Sequence, residues 1–264
     1  MSNEYAIKIE KLSYQYVDSR PLIKELSLIV PENTIVTILG RNGAGKTTLL
    51  NCILGFVQGY TGEILLYGKS LFEFSRKELA KIVGLVPQLS QVEFDYTVEE
   101  FVLMGCAPTM GYFSVPDKEM YNAVDESLQT LGIEHLKYRL VNSLSGGERQ
   151  LVYIARTLTQ KPKIIVLDEP TSALDFGNSL KITDLILKLK GSGYTVLLTC
   201  HNPDYPFILQ GYTIAMLTEN KVLFGESEQI LTDDVLTDLY GVRIKRVFLQ
   251  EQNQYVCVSN KCKE

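Results

Sequence analysis

The chain has 264 residues, enough for one large or two modest domains built on a substantial hydrophobic core. Hydrophobic residues make up 45% and charged residues 22%, which excludes the apolar-poor, highly charged composition of disordered chains. Its 31 acidic and 26 basic residues leave a net charge of −5, so no overall positive field would hold it on nucleic acid or an anionic membrane.

Residues 5 to 12 and 26 to 39 alternate or run apolar, with turn residues Asp18, Ser19, Pro31, Glu32 and Asn33 between and beside them, which predicts short strands. Leu49 to Phe56 reads as helix. Tyr60-Thr61-Gly62 turns into a strand over Glu63 to Tyr67, and Ser75 opens a short helix ended by a strand at Ile82 to Pro87. From about 92 to 160 the pattern is helical, with Met120, Val124, Leu128 and Leu131 on one face and Leu151, Ile154, Ala155 and Leu158 on another. Strand signals return at Ile164 to Leu167, Val196 to Thr199 and Ile214 to Leu217, around a helix with the stripe Ile182, Leu185, Ile186 and Leu189. Such alternation predicts a mostly parallel sheet with helices on both faces. Residues 226–264 add a helix near Asp233 to Tyr240 and a hairpin, Arg243 to Leu249 and Tyr255 to Val258, turning through Gln252-Asn253.

The longest apolar stretches, such as Ile164 to Leu167 and Thr195 to Cys200, are far shorter than the roughly 18 residues of a membrane-spanning helix. No basic region followed by an apolar run stands at the start, so no secretory signal is read and the cytoplasm is the expected compartment. Cysteines at 52, 106, 200, 257 and 262 are odd in number and scattered, as reduced thiols behaving like small hydrophobes would be. Cys257 and Cys262 lack the second Cys or His pair of a zinc site.

Gly40-Arg41-Asn42-Gly43-Ala44-Gly45-Lys46-Thr47-Thr48 follows an apolar strand and precedes a helix, the context a phosphate-binding loop requires. Glycines let the backbone wrap an anion with its N–H groups inward, and the helix N-terminus adds partial positive charge. Lys46 would reach the β- and γ-phosphates, Thr47 would place its hydroxyl on Mg²⁺, and Thr48 would donate to the α-phosphate. Ile164 to Leu167 ends in Asp168-Glu169, as a buried strand delivering two acids to such a site does. Asp168 would hold Mg²⁺, and Glu169 would polarise an attacking water as general base.

Leu144-Ser145-Gly146-Gly147-Glu148-Arg149-Gln150 resembles the signature sequence of the ATP-binding cassette (ABC) ATPases, the engines of ABC transporters. Gln88 matches the family's Q-loop, Ser172-Ala173-Leu174-Asp175 its D-loop, His201 its switch histidine, and Tyr16 the aromatic residue that stacks on adenine. The resemblance covers roughly residues 5 to 225 and is specific because the motifs recur in one order. It implies an α/β fold with a P-loop NTPase (RecA-like) core, an antiparallel β subdomain and a helical insertion. On this reading residues 3–225 form the ATPase domain, with the helical part about 92–160 inserted, and 226–264 form a small extension.

The resemblance also implies a mechanism. Ser145 would cap its helix and, with Gly146 and Gly147, face the γ-phosphate held by another subunit's loop, so two subunits enclose two ATP molecules as a homodimer or a pair of related chains. Gln88 would help hold Mg²⁺, His201 would hold the γ-phosphate, and Asp175 would reach across the dimer. A separate membrane permease would dock through a short helix near Gln88 to Tyr96, with Glu93, Phe94, Asp95 and Tyr96 lining the groove. The chain would then lie on the cytoplasmic face of the membrane, served indirectly by an extracytoplasmic solute-binding protein. The stretch from Val86-Pro87-Gln88 through Val98-Glu99-Glu100-Phe101-Val102-Leu103-Met104-Gly105, with His201-Asn202-Pro203-Asp204 later, looks like the metal-chelate import group, which takes ferric siderophores, haem, cobalamin, and molybdate or tungstate. Arg41, Glu148 and Asn202 depart from the commoner Pro, Gln and Asp of their motifs. An exporter ATPase or an iron–sulfur assembly ATPase is the alternative; the span from Gly40 to Ser145 carries no heptads for a chromosome-type coiled coil.

Overall fold

The computed structural model describes residues 5–16, 21–88, 94–111, 114–217 and 221–259. Within them the chain divides into two units, one from the segments up to Glu73 and from Thr195 onward, the other from Phe74 to Tyr194.

In the first unit, β1 (Tyr5–Tyr14) pairs antiparallel with β2 (Ile23–Pro31), Ile9 opposite Leu28. The apolar run from residue 26 to 39 is two strands, because Asn33 turns left-handed at φ 54° before β3 (Ile35–Gly40) begins. β2 buries alternate residues, whereas β3 is buried from Ile35 through Leu39, as a central strand covered on both faces is. The following helix, α1, spans Lys46–Ile53 rather than reaching Phe56, since Gly55 at φ 68° takes the chain out of helical geometry just beyond the cap residue Leu54. β4 (Thr61–Leu66) joins the free side of β1, and β5 (Lys69–Ser70) completes the antiparallel order β2-β1-β4-β5.

The second unit begins with α2 (Arg76–Ile82), β6 (Val83–Val86), α3 (Val98–Leu103) and α4 (Lys118–Leu131). It continues with α5 (Gly146–Thr159), β7 (Ile164–Leu167) and α6 (Phe176–Gly191). β6 and β7 run parallel, Val83 opposite Ile164 and Val86 opposite Leu167. α5 packs against α3 and α4. It is buried on more than the face read from its apolar period, because Thr157 and Thr159 are buried as well. Their hydroxyls are satisfied internally: Thr157 Oγ1 lies 3.2 Å from both Leu85 O and Tyr153 O, and Thr159 Oγ1 lies 2.9 Å from both Ala155 O and Ser127 Oγ. Lys137 ties two helices of this unit together, 3.1 Å from Glu99 on α3 and 2.6 Å from Asp125 on α4.

The first unit resumes with β8 (Thr195–Thr199), α7 (Tyr205–Leu209), β9 (Tyr212–Met216) and β10 (Val222–Glu226). β3 lies parallel between β8 and β9, and β10 runs antiparallel on the outer side of β9. α8 (Ser227–Ile230), α9 (Asp233–Tyr240) and the hairpin of β11 (Ile244–Leu249) and β12 (Gln254–Ser259) follow, the hairpin turning at Asn253, φ 50°. These last elements share the unit's core through buried Leu231, Leu236, Leu239 and Ile244. Cys52, Cys106 and Cys200 are buried and, like Cys257, are thiols outside any disulfide; Cys262 lies outside the described residues. Among the described residues no helix is long and apolar enough to cross a membrane.

The Lys137 clamp is half-buried, and its neighbouring carboxylates hold its amine above the usual lysine range, chiefly through the hydrogen bond to Asp125. Lys137→Met should lower unfolding stability by about 1–2 kcal/mol, a magnitude typical of charged hydrogen bonds with partial solvent access. A urea titration of the full chain measures it.

Candidate active site

Because β3, β8 and β9 are parallel, their carboxyl ends lie together, where α/β sheets place ligands. Gly40 ends β3, and the loop then folds back through a bond from Ala44 N to Arg41 O at 3.1 Å. Gly43 and Gly45 hold φ of 79° and 99°, conformations that side chains resist. Gly45 is also closely covered: a Cβ there would lie 3.0 Å from Leu22 Cγ. Lys46 is only 7% exposed, and its Nζ donates to the carbonyls of Gly40 at 2.8 Å and Arg41 at 3.2 Å. A nearly buried ammonium needs such partners. Asn42, Gly43 and Thr47 are exposed, while Thr48 is buried and its hydroxyl meets Tyr16 OH at 3.2 Å.

Tyr16 lies past the end of β1, half-exposed beside the loop's helix, with its ring edge-on to Tyr14 at 5.1 Å. His201 follows β8, whose end is bonded to β3 through Cys200 N and Ile38 O at 3.3 Å. The first unit therefore brings together Tyr16, the whole loop from Gly40 to Thr48, and the turn carrying His201. Asn202 replaces the commoner Asp of that turn without losing its local bond, since its Oδ1 accepts from Asp204 N at 2.8 Å.

In the second unit, Gln88 follows β6 and Asp168-Glu169 follow β7. Asp168 N donates to Val86 O at 3.0 Å, extending the pairing, and Gln88 Nε2 donates to Glu169 Oε2 at 3.2 Å. Glu169 adopts φ 48°. A non-glycine residue held there costs about 1 kcal/mol or more, strain that clusters at functional sites. Its carbonyl receives Ser172 N at 3.2 Å and Ser172 Oγ at 3.1 Å, which fix the turn.

Ser145 caps α5 in a reciprocal box with Glu148: Ser145 N and Oγ both donate to Glu148 Oε2, at 2.8 and 2.7 Å. Those bonds, the hydroxyl's first, hold the Glu148 carboxyl below its usual range. Asp175 caps α6, accepting from Asn178 N and Nδ2, both at 2.8 Å, and the backbone bond is the main cause of its lowered pKa. Asn178 also explains Gly147, where a Cβ would lie 2.7 Å from the Asn178 amide carbon. Signature and D-loop thus meet through a residue that no sequence motif singled out. The expected permease groove falls partly on residues 89–93, which lie outside the described residues.

The donor set fits a nucleotide. A glycine loop open at Gly43, an ammonium at its root and a helix starting behind it suit phosphate oxygens. Within each unit taken by itself, the exposed Thr47 in the first and Asp168 at a strand end in the second carry the oxygen donors that Mg²⁺ takes beside phosphates.

Strand, glycine loop, helix and acid-ended strand define a P-loop nucleoside triphosphatase. The ABC transporter family model matches residues 23–172, more than half of the chain, which belongs to that family and is an ABC-type ATP hydrolase. An iron chelatin transport ATP-binding protein of Helicobacter pylori is 34% identical, covering 92% of this chain and 95% of that protein. The molybdate import ATP-binding protein MolC of Haemophilus influenzae is 34% identical over 95% of this chain and 92% of its own length. A solved structure of a metal-chelate type ABC transporter, inward-facing, aligns over 98% of both chains with TM-score 0.87 and 31% identity.

A depressed carboxyl stabilises the fold above its ordinary pKa, near 4.5 for Glu148, and that contribution fades as pH falls through the folded value. The stability difference between wild type and Glu148→Gln should therefore be largest near neutral pH and shrink as the pH falls below about 4.5. Urea unfolding curves at stepped pH would show it.

Proposed function

We propose that this chain is the ATP-hydrolysing subunit of an importer that moves a metal chelate through a separate membrane permease. The observation that carries the reading is the likeness over nearly the whole chain to a metal-chelate type transporter, supported by relatives named for iron chelatin and molybdate. Residues 3–225 are taken as the ATPase domain and 226–264 as an extension. Two copies would pair, each offering its loop and its signature, on the cytoplasmic face of the membrane, with a solute-binding protein acting on the far side.

Lys46 would leave the loop carbonyls for the β- and γ-phosphates, while the N–H groups of residues 41–48 cradle them and Tyr16 stacks on the base. Thr47, Asp168 and Gln88 would hold Mg²⁺, which supplies charge neutralisation on the transferring phosphoryl group. Glu169, aimed by its strained backbone and its bond from Gln88, would take a proton from the attacking water. His201 would hold the γ-phosphate, and Ser145, Gly146 and Gly147 would meet the phosphate bound by the partner. Asp175, in its cap on α6, would face the dimer interface.

Glu169→Gln should lower kcat by about 10²–10⁴ and preserve ATP binding and ATP-dependent pairing, read by turnover and size-exclusion chromatography. Unchanged turnover would remove Glu169 from its role. The chain expressed with its adjacent genes should purify from detergent with a polytopic membrane protein, whereas a soluble scaffold in its place would defeat the importer reading.

A further inference from the structure

Arg41 occupies the second position of the phosphate loop, yet its guanidinium points away from the cradle. Its Nε donates to Leu239 O at 3.2 Å, a carbonyl in the last turn of α9. The carbonyls of a last helical turn lack helical partners and carry the negative end of the dipole, so a cation is favoured there. Gly241, the cap of α9 at φ 69°, lies under the same guanidinium: a Cβ on it would run into Arg41 Nη2. Arg41's own carbonyl accepts Ala44 N and Lys46 Nζ. One residue therefore joins the bonds that shape the loop to the C-terminal extension.

A second tie lies one strand over. Asp204, three residues beyond His201, accepts the Cys257 N–H of β12 at 2.6 Å, and Cys257 Sγ approaches Pro203 O at 3.7 Å. The extension is braced internally, with Arg246 donating from its backbone N to Asp233 Oδ1 at 2.9 Å and from Nη1 to Glu228 O at 2.8 Å. A braced body bonded at both the loop and the switch turn transmits its position to each.

We propose that the C-terminal helix and hairpin position the phosphate loop for ATP, with Arg41 as the positioning residue and Gly241 as its seat. The tie acts on nucleotide affinity through the loop's backbone; the guanidinium itself does not touch the reacting atoms. By linkage, nucleotide on the loop tightens the extension as much as the extension tightens the loop.

The test uses the full chain and steady-state ATPase kinetics, with wild type in the same assay so that loss of the ATPase reading is separately visible. Arg41→Ala should raise KM for ATP about fivefold, the order expected from a charge at a helix end, and lower kcat less than twofold. Gly241→Ala, outside every nucleotide motif, should raise KM similarly, and the double variant should be no worse than the worse single one. Arg41→Lys should recover part of the loss. A wild-type KM in Gly241→Ala with only its Tm lowered, or effects that multiply in the double variant, would overturn the proposal. Hydrogen exchange on the wild-type chain needs no variant: ATP in EDTA should increase protection of amides in residues 233–259. Unchanged protection there at saturating ATP would also overturn it.

Discussion

A protonated amine buried to 7% exposure can exist only where oxygen atoms are already arranged around it, and Lys46 imposes that demand at the root of the phosphate loop. The Gly40 and Arg41 carbonyls meet it, and they can do so because the loop doubles back through left-handed glycines. That fold-back needs a fixed end to start from. β3 supplies it, buried along its length and bonded on both sides to parallel strands. On the proposed function an incoming phosphate would compete for the same ammonium, replacing one set of oxygens with another without stranding the charge.

Four carboxylates around the motifs have diverged in employment through backbone geometry alone. Glu148 and Asp175 sit at helix starts, where the Ser145 hydroxyl and amide hold the first ionised and the Asn178 amides hold the second. Asp168 continues a strand's pairing through its amide, and Glu169 is turned by a positive φ into a different direction from its neighbour. Adjacent acids on one strand end thereby have different backbone settings, which suits the separate metal and proton roles proposed for them.

Much of this was readable from sequence because it is local. Glycine spacing, a strand of four apolar residues ending in two acids, and a serine followed three residues later by Glu148 each announce their geometry within a few positions. The end of α1 at Gly55 was harder, since apolar Phe56 and Val57 continue past it while the backbone leaves helical geometry. Thr157 and Thr159 hid the true burial of α5 because their polarity is cancelled by bonds to Leu85, Ala155 and Ser127 that only packing creates. Asn178 and the attachment of Arg41 to α9 were invisible for the same reason: each depends on a contact between distant segments. Arg41 did stand out as a departure from the commoner proline, but nothing nearby in the chain says what its side chain holds.

The reciprocal boxes at Ser75-Glu78, Thr97-Glu100 and Ser145-Glu148 have a consequence for how the chain acquires its shape. Each helix start is decided within four consecutive residues, so the middle of the chain can set its helix registers early, with little loop-closure entropy to overcome. The other unit cannot. Its central strand waits for partners far along the chain, as the bond between Asn33 and Thr195, 162 positions apart, makes plain. During synthesis the middle segment emerges complete while β3 still lacks both neighbours, so the nucleotide loop is among the last features to gain its support.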